Sequence, residues 1–163
     1  MEDVMRTLGY LCLGSRMKRL GERLQTDTQR ILDTLDASVQ AGQHPYLAAL
    51  DRLDPMTVGD LSLALGLSQP GVTRTVSRLA EAGFVEIRTA DGDQRQRIVG
   101  LTAAGARLVA EAKRGVWLRI EQAVSAACDD LRGPLLQQLA AIEERLDGEP
   151  LDRRAPARKA DTP

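Results

Sequence analysis

Aromatic side chains are scarce: Tyr10, Tyr46, Phe84 and Trp117 are the whole set, about 2% of 163 residues. A core with so few rings must rest on Leu, Val, Ile and Ala, most of them good helix formers, which favours an α-rich chain. Two cysteines, Cys12 and Cys128, are too few for a disulfide-held fold and suit a reducing compartment. The single histidine, His44, has no cysteine or carboxylate cluster beside it, so no metal site of conventional spacing is expected. No GxxxxGK phosphate loop, no GxSxG elbow and no histidine beside a nucleophile occurs, so neither catalysis nor a cofactor is expected. No apolar run approaches the roughly 20 residues of a membrane-spanning helix. The start Met1-Glu2-Asp3 lacks the basic region of a secretory signal, so the reading expects a cytoplasmic protein without a membrane partner. A basic excess is also missing, since 22 basic and 23 acidic residues give a net charge of -1. Any affinity for nucleic acid must therefore come from local placement of charge.

What the chain does have is helical periodicity. From Asp3 to about Val39 there is no proline, and Val4, Leu8, Leu11, Met17, Leu20, Leu24, Ile31, Leu35 and Val39 recur at steps that keep one apolar stripe. The spacing predicts a long first helix, with a bend at Gly9, Gly14 or Gly21 or a break at Thr26 to Thr28, whose stripe needs a second chain to cover it. The cluster Ala41 to Pro45 starts a second helix, with Tyr46, Leu47, Leu50 and Leu53 on its buried face. Thr57 followed by Asp60 has the form of a helix-start box, and Leu61, Leu63, Ala64 and Leu65 lead to Gly66. Ser68 is placed to cap a further helix through Val72, Val76 and Leu79 to a stop at Gly83. Phe84 to Arg88 and Arg97 to Leu101 then read as a hairpin with a polar tip. Thr102 caps a helix carrying Leu108, Ala112, Val116, Ile120, Val124 and Ala127 to about Leu131, and Gly133-Pro134 starts a last helix with Leu135, Leu139, Ile142 and Leu146. The rest, with only Leu151 as a large apolar residue, reads as a flexible tail.

The expected fold is mainly α with a small β-hairpin wing. It divides into an N-terminal dimerisation region (1–40), a winged helix-turn-helix lobe (41–105), C-terminal dimerisation helices (106–147) and the tail (148–163). At about 100° per residue, Val72, Val76 and Leu79 cluster on one side of the second lobe helix. Pro70, Arg74, Ser77 and Arg78 fall opposite, with Gly71 and Thr73 at the margins. Between Ser68 and Ala80 stand two arginines and no acid, although Thr57 to Gly105 is neutral overall with five of each. Such a face suits a major groove, where arginine pairs with guanine or clamps a phosphate and Ser68, Gln69, Thr73 and Ser77 hold backbone oxygens or base edges. The hairpin adds Arg88, Arg95 and Arg97, tempered by Asp91 and Asp93, in a ribbon narrow enough for a minor groove.

The run MTVGDLSLALGLSQPGVTRTVSRLAEAGFVEIRTADGDQRQRIVGLTAAG, Met56 to Gly105, resembles the DNA-binding lobe of the MarR family of bacterial transcription regulators. The resemblance rests on the wing signature D-x-R, here Asp93-Gln94-Arg95, and L-T-x-x-G, here Leu101-Thr102-Ala103-Ala104-Gly105. It implies a homodimer with intertwined first and last helices, to which Leu8, Leu11, Val116, Ile120, Leu139 and Ile142 would contribute. It also implies Arg95 in the minor groove, Asp93 pairing with an arginine to shape the wing, and a repressor reading a pseudo-palindromic operator. Gln94 stands where relatives often carry a second basic residue. The family suggests control by a small-molecule effector between the dimer and DNA-binding lobes, and Tyr10, Tyr46 and Trp117 are the residues assigned to such a pocket. The competing reading is a winged-helix protein-interaction or antagonist module without an operator of its own. Arg16, Lys18, Arg19 and Arg23 read as a solvated helix face. Cys12 reads as packing rather than as a redox switch, because the sensors' cysteine aligns nearer Leu8, and Cys128 reads as core.

Overall fold

The computed structural model describes residues 2–33, 39–53, 55–90, 93–128 and 133–148, without the side chains of 90, 93–96, 136, 146 and 147. The chain forms two compact units, Met1–Glu121 and Gln122–Pro163. In the first, α1 (Val4–Thr7), a 3-10 turn (Gly9–Cys12) and α2 (Leu13–Asp33) precede a second 3-10 turn (Ala41–Gln43) and α3 (His44–Leu53). There follow β1 (Met56–Thr57), α4 (Val58–Leu65), α5 (Gln69–Glu81), β2 (Val85–Ala90), β3 (Asp93–Leu101), α6 (Ala103–Arg114) and the first turns of α7 (Val116–Cys128). The second unit holds the end of α7 and, after Gly133-Pro134, α8 (Leu135–Gly148).

The expected single first helix is broken at Gly9, whose φ of 56° ends α1 and starts the 3-10 turn. Such an angle is cheap for glycine and costly for residues bearing a Cβ. Gly14 and Gly21 lie within α2, and no break occurs at Thr26 to Thr28: the Thr26 hydroxyl donates to the Glu22 carbonyl at 2.8 Å one turn back and the helix continues. Val39 is buried outside any helix, and Leu35 lies outside the described residues. Asp3 receives two hydrogen bonds from Arg19, at 2.9 and 3.2 Å, which tie the start of the chain to α2. Arg19 thereby holds the Asp3 carboxyl below its ordinary value. Lys18 pairs with Glu22 and Arg23 with Asp27, so the basic residues of α2 largely spend their charge within the helix surface.

One core cluster joins Tyr46, Leu47 and Leu50 of α3, Leu61 of α4, Val72, Val76 and Leu79 of α5, Val85 and Val99 of the hairpin and Val109 of α6. Two leucines expected there are not: Leu53 is 50% and Leu63 83% exposed. Leu53 closes α3 and Leu63 lies on the far side of α4 from Leu61, so a short helix cannot bury both. A smaller cluster joins Leu32 of α2 to Ala112 and Val116, with Trp117 packing against both cores.

The sheet has order β1-β3-β2 and is antiparallel, with Val85 opposite Leu101 and Ile87 opposite Val99. Its third strand, Met56 opposite Val99 and Thr57 opposite Ile98, was not anticipated, because two residues carry no periodicity. The helix-start box is present. The Thr57 hydroxyl accepts the Asp60 amide at 3.1 Å and donates to the Asp60 carboxylate at 2.7 Å. Thr57→Ala is expected to cost about 1 kcal/mol, read as a lower urea midpoint with an unchanged slope.

The helix expected from Thr102 to Leu131 is two. Gly115, at φ -131° and ψ -88°, interrupts it between α6 and α7 although the apolar spacing runs on, and Leu131 lies outside the described residues. Cys12 and Cys128 are both half-buried, so the core position expected for Cys128 is not realised. In α8, Leu135 and Leu139 are half-buried and Ile142 is at the edge of exposure. The expected tail lies outside the described residues from 149 on.

Candidate nucleic-acid interface

The exposed face begins at the turn between α4 and α5. Gly66 closes α4 in the left-handed region, at φ 62°, and its amide and that of Leu67 return to the Leu63 and Ser62 carbonyls. Ser68 stands at the N-cap of α5 with extended backbone, but its hydroxyl makes no capping bond, contrary to the expected role. Pro70 occupies the first turn, where its missing amide removes one donor that would need a partner. The exposed Ser68 and the first-turn amides, with the partial positive charge of a 13-residue helix, therefore lie together at this end of α5.

Along α5, Val72, Val76 and Leu79 are buried while Gln69, Thr73, Arg74 and Arg78 are exposed and Ser77 is half-buried. The Thr73 hydroxyl donates to the Gln69 carbonyl at 2.9 Å, leaving its lone pairs outward. A cleft of about 600 Å³ is lined by Thr57 and Asp60 at the start of α4, by Gln69, Thr73 and Ser77 of α5, and by Ile87 and Arg97 of the hairpin. Four of the residues assigned to DNA contact thus share one concave surface. Asp60 and Ile87 line it as well, although the sequence marks Asp60 only through the helix-start box and Ile87 only as part of a hairpin strand.

Arg78 departs from the expected arrangement. It lines a separate cavity of about 430 Å³ with Val39, Gln40, Gln43, Leu79 and Ala82, so it faces the segment before α3 rather than the cleft. Among the described residues, Arg74, Arg78 and Arg97 have no ion-pair partner, whereas Arg88 is neutralised by Glu86 at 2.5 Å. Arg95 and Asp93 lie on β3, but their side chains fall outside the described ones, as does Asp91.

The residues assigned to other roles are scattered. Tyr46 is in the main core and half-buried Trp117 packs against that core, whereas Tyr10 is 93% exposed and stands apart from both. Leu8 and Leu11 are exposed and Ile120 is half-buried, but Val116 packs with Leu32 and Ala112 inside its own unit and has little surface left for a partner.

Trp117 donates its indole N–H to His44 Nδ1 at 3.0 Å, with the rings edge-on at 6.0 Å. The accepting Nδ1 puts the imidazole proton on Nε2, a buried atom without a hydrogen-bond partner among the described residues. Burial holds His44 below its ordinary value, opposed by the backbone of Val39. A protonated Nδ1 could no longer accept from Trp117, and the unfolded chain binds the proton more readily. Stability is therefore full above about pH 6.5 and falls as pH drops through the lower folded value. The thermal midpoint is expected to drop between about pH 7.5 and 5.5 more steeply in the wild type than in His44→Gln, with a shift in the emission of the single tryptophan.

A family model described as the MarR family matches residues 35–96. An HTH-type transcriptional regulator of Mycobacterium leprae is 30% identical over 112 residues, covering 69% of this chain and 78% of that protein. PetP, an HTH-type transcriptional regulator of Rhodobacter capsulatus, is 32% identical over 101 residues, covering 62% of this chain and 60% of PetP. Among solved structures, a mutant MarR from E. coli complexed with operator DNA superposes with a TM-score of 0.67 at 21% identity, covering 90% of this chain and 98% of that one. The regulator BldR from Sulfolobus solfataricus gives 0.65 at 20%, covering 89% and 99%. At these identities the two structures establish the fold.

Proposed function

We propose that this chain, which belongs to the MarR family, is a DNA-binding transcription regulator that acts as a homodimeric repressor on a pseudo-palindromic operator, and is not an enzyme. The observation that carries the reading is the outward face of α5, where Arg74 stands exposed, without an ion pair among the described residues, on a helix with no carboxylate before Glu81. A guanidinium so placed can give two parallel hydrogen bonds to guanine O6 and N7. Ser68, Gln69 and Thr73 flank it with groups that suit phosphate oxygens.

Arg97 supplies positive charge from the hairpin to the same cleft, and Arg95 would carry it further toward the tip. Asp60 in that cleft would repel a phosphate, so the backbone contacts of this reading come from the α5 side and from the hairpin. Arg97→Ala is expected to weaken binding to all duplexes alike and to reduce the slope of log affinity against log salt by about 0.9. Anisotropy titrations over a salt series check this.

Dimerisation is supported by the apolar stripe that the described residues leave uncovered. Val4, Leu8, Leu11, Leu13, Met17, Leu20 and Leu24 are all exposed, Leu11 to 82%. Burying such a stripe against a second copy removes apolar area from water at about 25 cal/mol per Å². A dimer would set the distance between two α5 helices, which must be about 34 Å to meet successive major grooves. A small molecule that bound one spacing better than another would shift operator affinity by that difference and no more. A cytoplasmic location follows from the reading. Among the described residues, no helix is long and apolar enough to cross a membrane.

The test is selection from a randomised duplex pool by the full chain. Recovery of one inverted-repeat sequence is the expected result. Recovery of nothing above background would favour the protein-docking reading instead.

A further inference from the structure

We propose that Thr102 is a positioning residue for DNA binding, which fixes the direction of the hairpin relative to α5 so that both meet one duplex; the inference rests on the DNA-binding reading above. Three hydrogen bonds of its amide and hydroxyl meet at this residue, beside a turn that is itself constrained. At the end of α5, the Phe84 amide donates to the Leu79 carbonyl at 2.9 Å, and Gly83 takes a φ of 78°, which turns the chain into β2. The next carbonyl along, that of Phe84, accepts the Thr102 amide at 3.1 Å. The Thr102 hydroxyl donates to the Gly83 carbonyl at 2.7 Å and accepts the Gly105 amide at 3.0 Å. One hydroxyl thus joins the exit of α5, the base of the hairpin and the first turn of α6.

The consequence follows from rigid geometry. The base of the hairpin belongs to the three-stranded sheet, shares the main core with α5 through Val85 and Val99, and is joined to α5 along the chain by the Gly83-Phe84 turn, with Leu101 of β3 opposite Val85. A turn containing a glycine at positive φ does not by itself fix an angle. The Thr102 hydroxyl closes that turn from the N-cap of α6, just past the end of β3 and 19 residues away in sequence. The Arg74 and Arg97 contacts lie on opposite sides of this knot, so a change at Thr102 tilts one set of contacts against the other without touching either.

Serine keeps both hydrogen bonds; valine keeps the shape and loses both. The probe is the best duplex that the wild-type chain recovers from the randomised pool, with the thermal midpoint of every variant measured beside its affinity. Thr102→Val is expected to lower affinity roughly fivefold, the equivalent of one lost hydrogen bond, and Thr102→Ser to restore it. The loss should persist in an Arg74→Ala background and shrink to about twofold or less once the hairpin arginines are removed by Arg95→Ala/Arg97→Ala, because the two then act through the same contact.

An equal loss in all three backgrounds would mean that Thr102 affects folding alone and would overturn the inference, as would a folded Thr102→Val with full affinity. If the wild-type chain recovers no duplex, the DNA-binding reading fails and takes this inference with it. If Thr102→Val does not fold, the Thr102→Ser and Thr102→Ala affinities decide. Alanine weaker than serine on the wild-type hairpin, and equal to it without the hairpin arginines, is the expected pattern; equality on both overturns it.

Discussion

Gly105→Ala is expected to destabilise the protein by about 3 to 5 kcal/mol, a lowering of the thermal midpoint by roughly 10 °C. A Cβ on Gly105 would stand 2.0 Å from the Phe84 carbonyl oxygen, 3.0 Å from its carbon and 3.3 Å from Leu101 Cδ2. Most overpacked substitutions meet a flexible side chain and cost about 1 to 3 kcal/mol. Here the obstacle is backbone held in place on both sides, because Phe84 donates to Leu79 and accepts from Thr102. Relief would require moving the base of the hairpin away from α6. The contrast is Gly59 of α4, where an added Cβ meets only the Thr57 hydroxyl oxygen at 3.6 Å. Gly59→Ala is expected to be neutral or to stabilise by about 0.5 to 1 kcal/mol, as glycine in a helix usually allows. Thermal melts of the two variants side by side check both.

Arg74→Ala is the corresponding expectation for binding. It should cost about 1 to 3 kcal/mol on the selected duplex, roughly 10- to 100-fold in affinity, and relax preference at one base pair of each half-site. Stability should change by no more than about 0.5 kcal/mol, since the side chain is exposed and has no ion pair among the described residues. Arg78→Ala should lose less, because Arg78 lines the cavity with Val39, Gln40 and Gln43 and is drawn toward the segment before α3. Competition titrations against single-base variants of the duplex separate the two arginines. Equal losses at both would mean that the cavity beside Arg78 does not keep that arginine from the DNA.

Much of this arrangement could be read from residue order because its causes are local. Thr57 with Asp60, and Thr102, announce helix starts through side chains that reach an amide three residues on. The buried line Val72, Val76, Leu79 follows from helical pitch, and the hairpin from the change of period after Gly83. What could not be read has distant causes. Strand β1 exists only because β3 offers it an edge, and Met56-Thr57 alone has no strand signal. The interruption at Gly115 is hidden because Ala112, Val116 and Ile120 keep helical spacing across it. Arg78 sits four residues from Arg74, only about 40° around the helix, so pitch cannot tell which neighbour it will face. The segment before α3 on one side and the hairpin on the other decide that. The His44–Trp117 hydrogen bond spans 73 residues and has no local signature at all.

The measurement closest to the central claim is a hydroxyl-radical footprint of the full chain on its selected duplex. Two clasped copies, each laying α5 in a major groove, predict two protected patches centred about 10 base pairs apart and related by a twofold axis, with both weakened together by Arg74→Ala. A single patch, or protection that survives Arg74→Ala unchanged, would contradict the account.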